Sequence, residues 1–181
     1  YNGLSIVQYT LEEMDRYRES TAISYFSRIL RYNMHPEVLA AIGKELECVR
    51  NYVEFVNAFR SPGMEVDYRV DEALMDLRIP KFILQPFAEN AVKYGDGRYL
   101  IVYAAYNQEK LVLHVKNTGN ISENVRCAVN ETLKDAYVKE NTGKIGLKNI
   151  ATRLKLFYGK GAEVEILEEK GWVIVEIRID R

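Results

Sequence analysis

Proline and cysteine are both scarce in this 181-residue chain, at four and two, and no apolar run approaches the roughly 20 residues that span a bilayer. Cys48 and Cys127 are too few and too far apart for a disulfide framework or a zinc site, so two free thiols in a reducing compartment are expected. Neither sign of charge is in excess: 25 Lys and Arg stand against 26 Asp and Glu, for a net charge of −1. That balance removes the composition-level argument for nucleic acid or an anionic membrane as partner, and no acidic run marks a disordered tail. The N-terminus lacks the basic-then-apolar pattern of a signal peptide, and the chain reads as soluble. Its 48% hydrophobic content is ordinary for one or two globular domains. It opens on Tyr1 rather than methionine, so a piece of a longer protein is expected.

Leu4, Val7, Leu11 and Met14 recur at helical spacing, the pattern resumes at Ile23, Phe26 and Leu30, and neither glycine nor proline interrupts between Leu4 and His35. The apolar stripe lapses from Asp15 to Ser20. After Asn33, Met34, His35 and Pro36, a second stripe runs through Ile42, Leu46, Val49, Val53 and Val56. Residues 1–60 therefore read as a two-helix hairpin with coiled-coil seams. Two helices do not readily bury both seams, so a homodimeric four-helix bundle is expected, with packing onto the rest of the same chain as the alternative.

At Ser61-Pro62-Gly63 the period changes, and the second domain, 61–181, is placed there. Met64, Val66, Tyr68 and Val70 alternate as a half-buried strand should. A helix punctuated by Pro80 and Pro86 carries the apolar residues of 82–92 to a stop at Gly95. Strands over 99–106 and 111–115 read as antiparallel neighbours, and residues 163–168 and 172–179 as a hairpin around Glu169-Lys170-Gly171. Residues 146–158 form an amphipathic helix ending at Gly159. From Asn117 to Lys144 the chain is polar and weakly periodic, which predicts a lid or binding loop. The predicted class is α+β, a helical hairpin followed by an α/β two-layer sandwich.

The most informative segment is Leu84-Gln85-Pro86-Phe87-Ala88-Glu89-Asn90-Ala91-Val92-Lys93-Tyr94-Gly95. On a helix, Glu89, Asn90 and Lys93 lie within one turn of each other. An Asn oxygen suits Mg²⁺, whose other positions go to water and phosphate, and a lysine meets phosphate as a point charge. A merely solvated Glu-Asn-x-x-Lys face is the competing reading. Two further segments point the same way. Val115-Lys116-Asn117-Thr118-Gly119 ends a strand, and Thr142-Gly143-Lys144-Ile145-Gly146-Leu147-Lys148-Asn149 runs into a helix start, where backbone N–H groups and the helix dipole favour phosphate.

At these residues the chain resembles sensor histidine kinases with the Bergerat (GHKL) ATP-binding fold, most closely the subgroup with sequences like LQPxxENAxKHG. Leu30-Arg31-Tyr32, Glu45-Leu46 with Val49, Tyr52 and Val53, and Ile145-Gly146-Leu147-Lys148-Asn149-Ile150 followed by Arg153-Leu154 and Tyr158-Gly159 extend the likeness over nearly the whole chain. The phospho-accepting histidine of that subgroup lies in a stretch like His-Phe-Leu-Tyr-Asn, whose last two residues match Tyr1-Asn2. The resemblance thus implies an acceptor just upstream of Tyr1, with His35 and His114 structural.

By position, the resemblance implies that Asn90 ligates Mg²⁺ and that Glu89 polarises or positions the reacting groups near the γ-phosphate of ATP. It implies phosphate contact at Lys93, adenine recognition at Asn117 beside Gly119, and a lid hinge and phosphate loop at Gly143, Gly146 and Leu147, with Tyr94, Lys144 and Ile145 completing the nucleotide contacts. It also implies a response-regulator partner and a cytoplasmic location in a membrane sensor, tethered only through the upstream region. The sequence departs from the pattern in four places. Asn117 replaces an aspartate, Ile121 stands where the first box has a glycine, Thr142 and Lys144 flank Gly143 at glycine positions, and Tyr94 replaces a histidine. Exchanging a charged for a neutral hydrogen bond at 117 weakens ATP binding by about 1 kcal/mol, about fivefold. The alternative is a degenerate dimerisation and docking module that signals without phosphotransfer.

Overall fold

The computed structural model describes residues 2–134 and 145–180. Three helices come first: α1 (Asn2–Glu13), α2 (Tyr17–Met34) and α3 (Ile42–Asn57). The run over residues 4–35, whose stripe breaks at Asp15 to Ser20, is thus two helices. Asp15 adopts a left-handed φ of 55°, Arg16 N–H donates to Leu11 C=O at 2.8 Å, and Asp15 N–H donates to Glu12 C=O at 3.1 Å. That pair of bonds is a Schellman stop, here built without glycine. It falls at the start of the segment where the stripe lapses.

Two three-residue strands, β1 (Leu39–Ala41) and β3 (Arg78–Pro80), pair antiparallel with Ala40 opposite Ile79. Between them in the chain lies β2 (Glu65–Val70). Helix α4 (Gln85–Tyr94) follows, then β4 (Tyr99–Asn107), β5 (Lys110–Thr118), α5 (Glu123–Lys134), α6 (Ile145–Tyr158), β6 (Ala162–Glu169) and β7 (Trp172–Asp180). The larger sheet has the order β2-β4-β5-β7-β6, parallel at β2–β4 and antiparallel elsewhere. The β6–β7 hairpin closes through Lys170 and Gly171, both at positive φ (50° and 80°), as a two-residue turn requires.

One row across the sheet reads Tyr68, Val102, Val115, Val175 and Ile166. This face meets the helices, and its Leu100, Leu113 and Ile177 are buried with Phe87 of α4 and Ile150 and Leu154 of α6. The other face presents Tyr103, stacked on His114 at 5.2 Å, with His114 Nε2 2.5 Å from the Glu176 carboxylate. The α+β architecture, hairpin first and sheet with helices after, is as the sequence predicts.

The α3 stripe goes inward. Ile42, Leu46, Val49 and Val53 join the same core as Ile83 and Phe87, so this seam is filled by the rest of the chain. On α2 the buried positions are Ser20, Ala22 and Ile29, with Phe26 packed 5.6 Å from Phe55, while Ile23 and Leu30 stay half-buried. Ile6 and Tyr9 of α1, and Met14 just past its end, are more than 60% exposed. The expected lid also changes. Its first part ends β5, and residues 123–134 form α5, which buries Val129 and Leu133 at i,i+4 spacing. Asn130 fixes it to the edge strand β6, accepting from Ile166 N–H at 2.7 Å and donating to Ile166 C=O at 2.9 Å. The remainder of that segment, 135–144, lies outside the described residues.

Candidate functional site

Helix α4 starts at Gln85, three residues later than the apolar pattern from Phe82 implies, because a buried carboxylate holds the preceding turn. Glu45 of α3 is fully buried and accepts N–H groups from Phe82 (2.7 Å), Ile83 (2.8 Å) and Leu84 (3.0 Å), together with the Tyr32 hydroxyl. Converging those amides puts Phe82 at φ 63°, a strained conformation for an aromatic residue. Glu45 acts as the cap that α4 lacks within its own segment. Arg153 of α6 donates to Lys81 C=O, and Lys81 Nζ donates to Tyr32 C=O and, at 2.8 Å, to His35 C=O. Four helices therefore meet at residues 81–84. Sequence reasoning left Glu45 among the hairpin residues, yet its place on the buried stripe between Ile42 and Val49 was a readable signal.

Beyond that turn, α4 forms one wall of a cavity of about 580 Å³. Glu89, Asn90 and Tyr94 come from α4, and Asn117 from the end of β5. Besides Pro86, Phe87 and Ala91 of α4, the apolar lining is Ile121, Val125 and Val129 after β5 and Ile166, Val173 and Val175 of β6 and β7. These six, with Asn120 and Ser122, were not singled out as site residues from sequence, apart from Ile121 as a departure. The β6 and β7 members carry only the strand alternation that any core position shows.

At the end of the cavity, Gly95 and Gly119 allow two backbones to approach. A Cβ on Gly95 would stand 2.5 Å from Ala91 O and 2.6 Å from Asn117 Nδ2, and one on Gly119 would stand 3.3 Å from Gly95 Cα. Gly95 ends α4 at an ordinary φ of −76°, so its glycine serves this close approach rather than a left-handed conformation. Gly119 does need its glycine for conformation, at φ 138°. Asn117 is buried, and its Nδ2 donates to Thr118 C=O at 2.9 Å. An aspartate has no donor for that bond; the asparagine anchors itself and keeps its oxygen as the acceptor. The Thr118 hydroxyl donates to Asp96 and Asp96 N–H donates to Thr118 C=O at 3.2 Å, so the loop after α4 is tied to β5. The Thr118 hydroxyl is the main cause holding the Asp96 carboxyl below its usual range.

With this geometry in view, the chain is 31% identical over 153 residues to the sensor histidine kinase YpdA of Escherichia coli K12, covering 78% of this chain and 25% of YpdA. It is 27% identical over 180 residues to the sensor histidine kinase YesM of Bacillus subtilis 168, covering 97% of this chain and 30% of YesM. These relatives are sensor histidine kinases. The chain spans about a quarter to a third of their length, and no protein-family model matches it. Among solved structures, the nucleotide-free catalytic domain of the histidine kinase ThkA superposes with a TM-score of 0.57 at 17% identity, over 78% of this chain and 94% of that one. Full-length ShkA in complex with AMPPNP gives 0.56 at 21% identity, over 97% and 38%. ThkA in complex with the response regulator protein TrrA gives 0.52 at 16% identity, over 97% and 49%. These likenesses show the fold of histidine kinase catalytic domains.

The structure brings Glu89, Asn90, Tyr94 and Asn117 to one cavity, with Gly119 packed behind Asn117. Lys93 is exposed and outside the cavity wall, its ammonium 5.0 Å from the Tyr94 ring centre. Ile145, Gly146 and Leu147 form the first turn of α6. Gly143 and Lys144 lie outside the described residues. Among the described residues, no three His, Cys, Asp or Glu side chains gather as a metal cluster, and no helix is long and apolar enough to cross a membrane.

Proposed function

We propose that this chain is the ATP-handling core of a sensor histidine kinase of the LQPxxENAxKHG kind, with residues 1–60 as part of its dimerisation hairpin and 61–181 as its catalytic domain. One observation carries the reading: Glu89 and Asn90 of α4 and Asn117 of β5 line one cavity whose remaining wall is mostly apolar, with Asn120 and Ser122 as its other polar members. The lining fits a nucleotide. A planar base suits the valine and isoleucine walls, and the Asn117 oxygen accepts from an exocyclic amine. Asn90 would hold Mg²⁺ through its hard amide oxygen, with phosphate and water as the ion's usual further ligands. Bound Mg²⁺ supplies neutralisation of charge on the phosphates. Glu89 positions the reacting groups at the γ-phosphate. Lys93, the exposed end of α4 and the start of α6 are left for the phosphate tail. The acceptor histidine lies upstream of Tyr1, and a response regulator takes the phosphoryl group next; the parent protein is a membrane sensor whose cytoplasmic part includes these residues.

The exposed Ile6, Tyr9 and Met14 support a second copy of the chain as the hairpin's partner. Sedimentation across concentrations tests this, and a monomer throughout would remove it.

Calorimetric titration with AMPPNP and Mg²⁺ tests the central reading. Binding is expected, with Asn90→Ala removing its Mg²⁺ dependence. No binding, with Asn90→Ala indistinguishable from the parent, would refute it. The rival reading, a weakly binding docking module, draws on Ile121, whose side chain occupies the cavity wall. It predicts that the full-length protein, acceptor histidine included, dimerises yet takes no label from ATP.

A further inference from the structure

Gln85 opens α4 one turn ahead of Glu89 and is 6% exposed, and both ends of its carboxamide are engaged. Its Nε2 donates to Glu89 Oε1 at 2.7 Å, and its Oε1 accepts from Cys48 Sγ of α3 at 3.0 Å. The three groups admit one arrangement. A carboxylate only accepts, so the amide nitrogen must face Glu89, and the oxygen is then left for a group that donates. Cys48 is such a group: burial first, then the Glu45 charge and the Glu89 charge, push its thiol up to about 12, so it keeps its proton at neutral pH. Turned by 180°, the carboxamide would set oxygen against carboxylate.

We propose that Gln85 is the positioning residue for Glu89, and that Cys48 sets Gln85, so that α3 of the hairpin aims a carboxylate in the nucleotide cavity. The inference rests on the nucleotide reading and adds to it the residue and the helix that fix Glu89. Gln85 is outside the cavity wall, so it acts through Glu89. A glutamate side chain has three free torsions, and holding it in place before the substrate arrives lowers the barrier to transfer without tightening binding.

Two measurements test this. In this chain, without nucleotide, the side-chain amide resonances of Gln85 are expected to move in Glu89→Gln and in Cys48→Ala; resonances unmoved in both variants overturn the inference. In the full-length protein, Gln85→Leu is expected to lower the kcat of phosphoryl transfer by about tenfold or more with the ATP KM within about twofold, the size of one hydrogen bond to a charged group. Cys48→Ala should lower kcat by a smaller factor, and Cys48→Ser, which keeps a donor, should restore it. A Gln85→Leu kcat equal to the parent's overturns the inference alone. Equal losses in Cys48→Ser and Cys48→Ala also overturn it, since they would report packing rather than a donor. A parent protein that binds no AMPPNP overturns the nucleotide reading instead, and the catalytic meaning of the pair goes with it.

Discussion

Replacing Glu45 with glutamine tests the joint between hairpin and catalytic helix more sharply than truncation, because it keeps volume and removes only acceptor capacity. The carboxylate is fully buried and receives four donors: Tyr32 OH and Phe82 N–H at Oε1, Ile83 N–H and Leu84 N–H at Oε2. A glutamine keeps one oxygen and turns an amide nitrogen toward two of the four. Two buried donors then face a donor, at about 1–3 kcal/mol each. Removing the buried charge returns part of its desolvation cost, so the net loss is expected near 2–4 kcal/mol. Against a total stability of about 5–15 kcal/mol this is a large fraction, and at about 2–4 °C per kcal/mol it lowers Tm by about 5–15 °C. Urea unfolding measures it as a fall in midpoint at unchanged slope. Tyr32→Phe removes a single bond to the same charge and should cost less than Glu45→Gln. A Glu45→Gln unfolding free energy within about 0.5 kcal/mol of the parent's, or a Tyr32→Phe loss as large as that of Glu45→Gln, would refute the account of four donors on one carboxylate.

Gly95→Ala places a methyl carbon 2.5 Å from Ala91 O and 2.6 Å from Asn117 Nδ2, so overpacking of about 1–3 kcal/mol is expected by thermal unfolding, with AMPPNP affinity falling alongside. A variant with parental Tm would show that the α4–β5 junction yields freely. The thiols should separate by reactivity: Cys127 is exposed and titrates with a disulfide reagent in the folded state, whereas Cys48 reacts only on unfolding. Two equally fast thiols would contradict the packing of α3 on α4. Alkaline pH should destabilise the protein. Cys48 is raised to about 12, and Tyr32 is raised by burial and then by Glu45, so the folded state holds these protons more tightly than the unfolded chain. Their contribution is complete below the unfolded thiol pKa of about 8.5 and is lost as pH rises toward about 12. Melting curves from pH 8 to 11 should fall more steeply for the parent than for Cys48→Ala, and parallel curves would count against it.

The regular elements were legible because their signals are local. Strand alternation at Tyr99–Asn107 and Trp172–Asp180, and the helical periods of α3 and α6, are properties of consecutive residues, and each appears where the pattern places it. Strands β1 and β3 were not legible, since three residues carry no period and exist only through each other. Helix α5 was hidden by its polar exposed face; only Val129 and Leu133 are buried, and Asn130 secures it through a strand edge 36 residues away in sequence.

The candidate site divides along the same line. The segment from Leu84 to Gly95 announced Glu89 and Asn90 on one helix turn, since a 3.6-residue period puts neighbours in sequence together in space. The sequence alone determined which residue types stand on α4 and at the end of β5. Tertiary structure decided that Asn117 shares a cavity with them, that Lys93 does not line it, and that Glu45 and Cys48, both from the hairpin, hold the start of α4 and the amide beside Glu89. The reason is that a buried hydrogen bond between elements depends on which donors and acceptors packing deprives of water, and that is a property of the assembled core rather than of any stretch of chain.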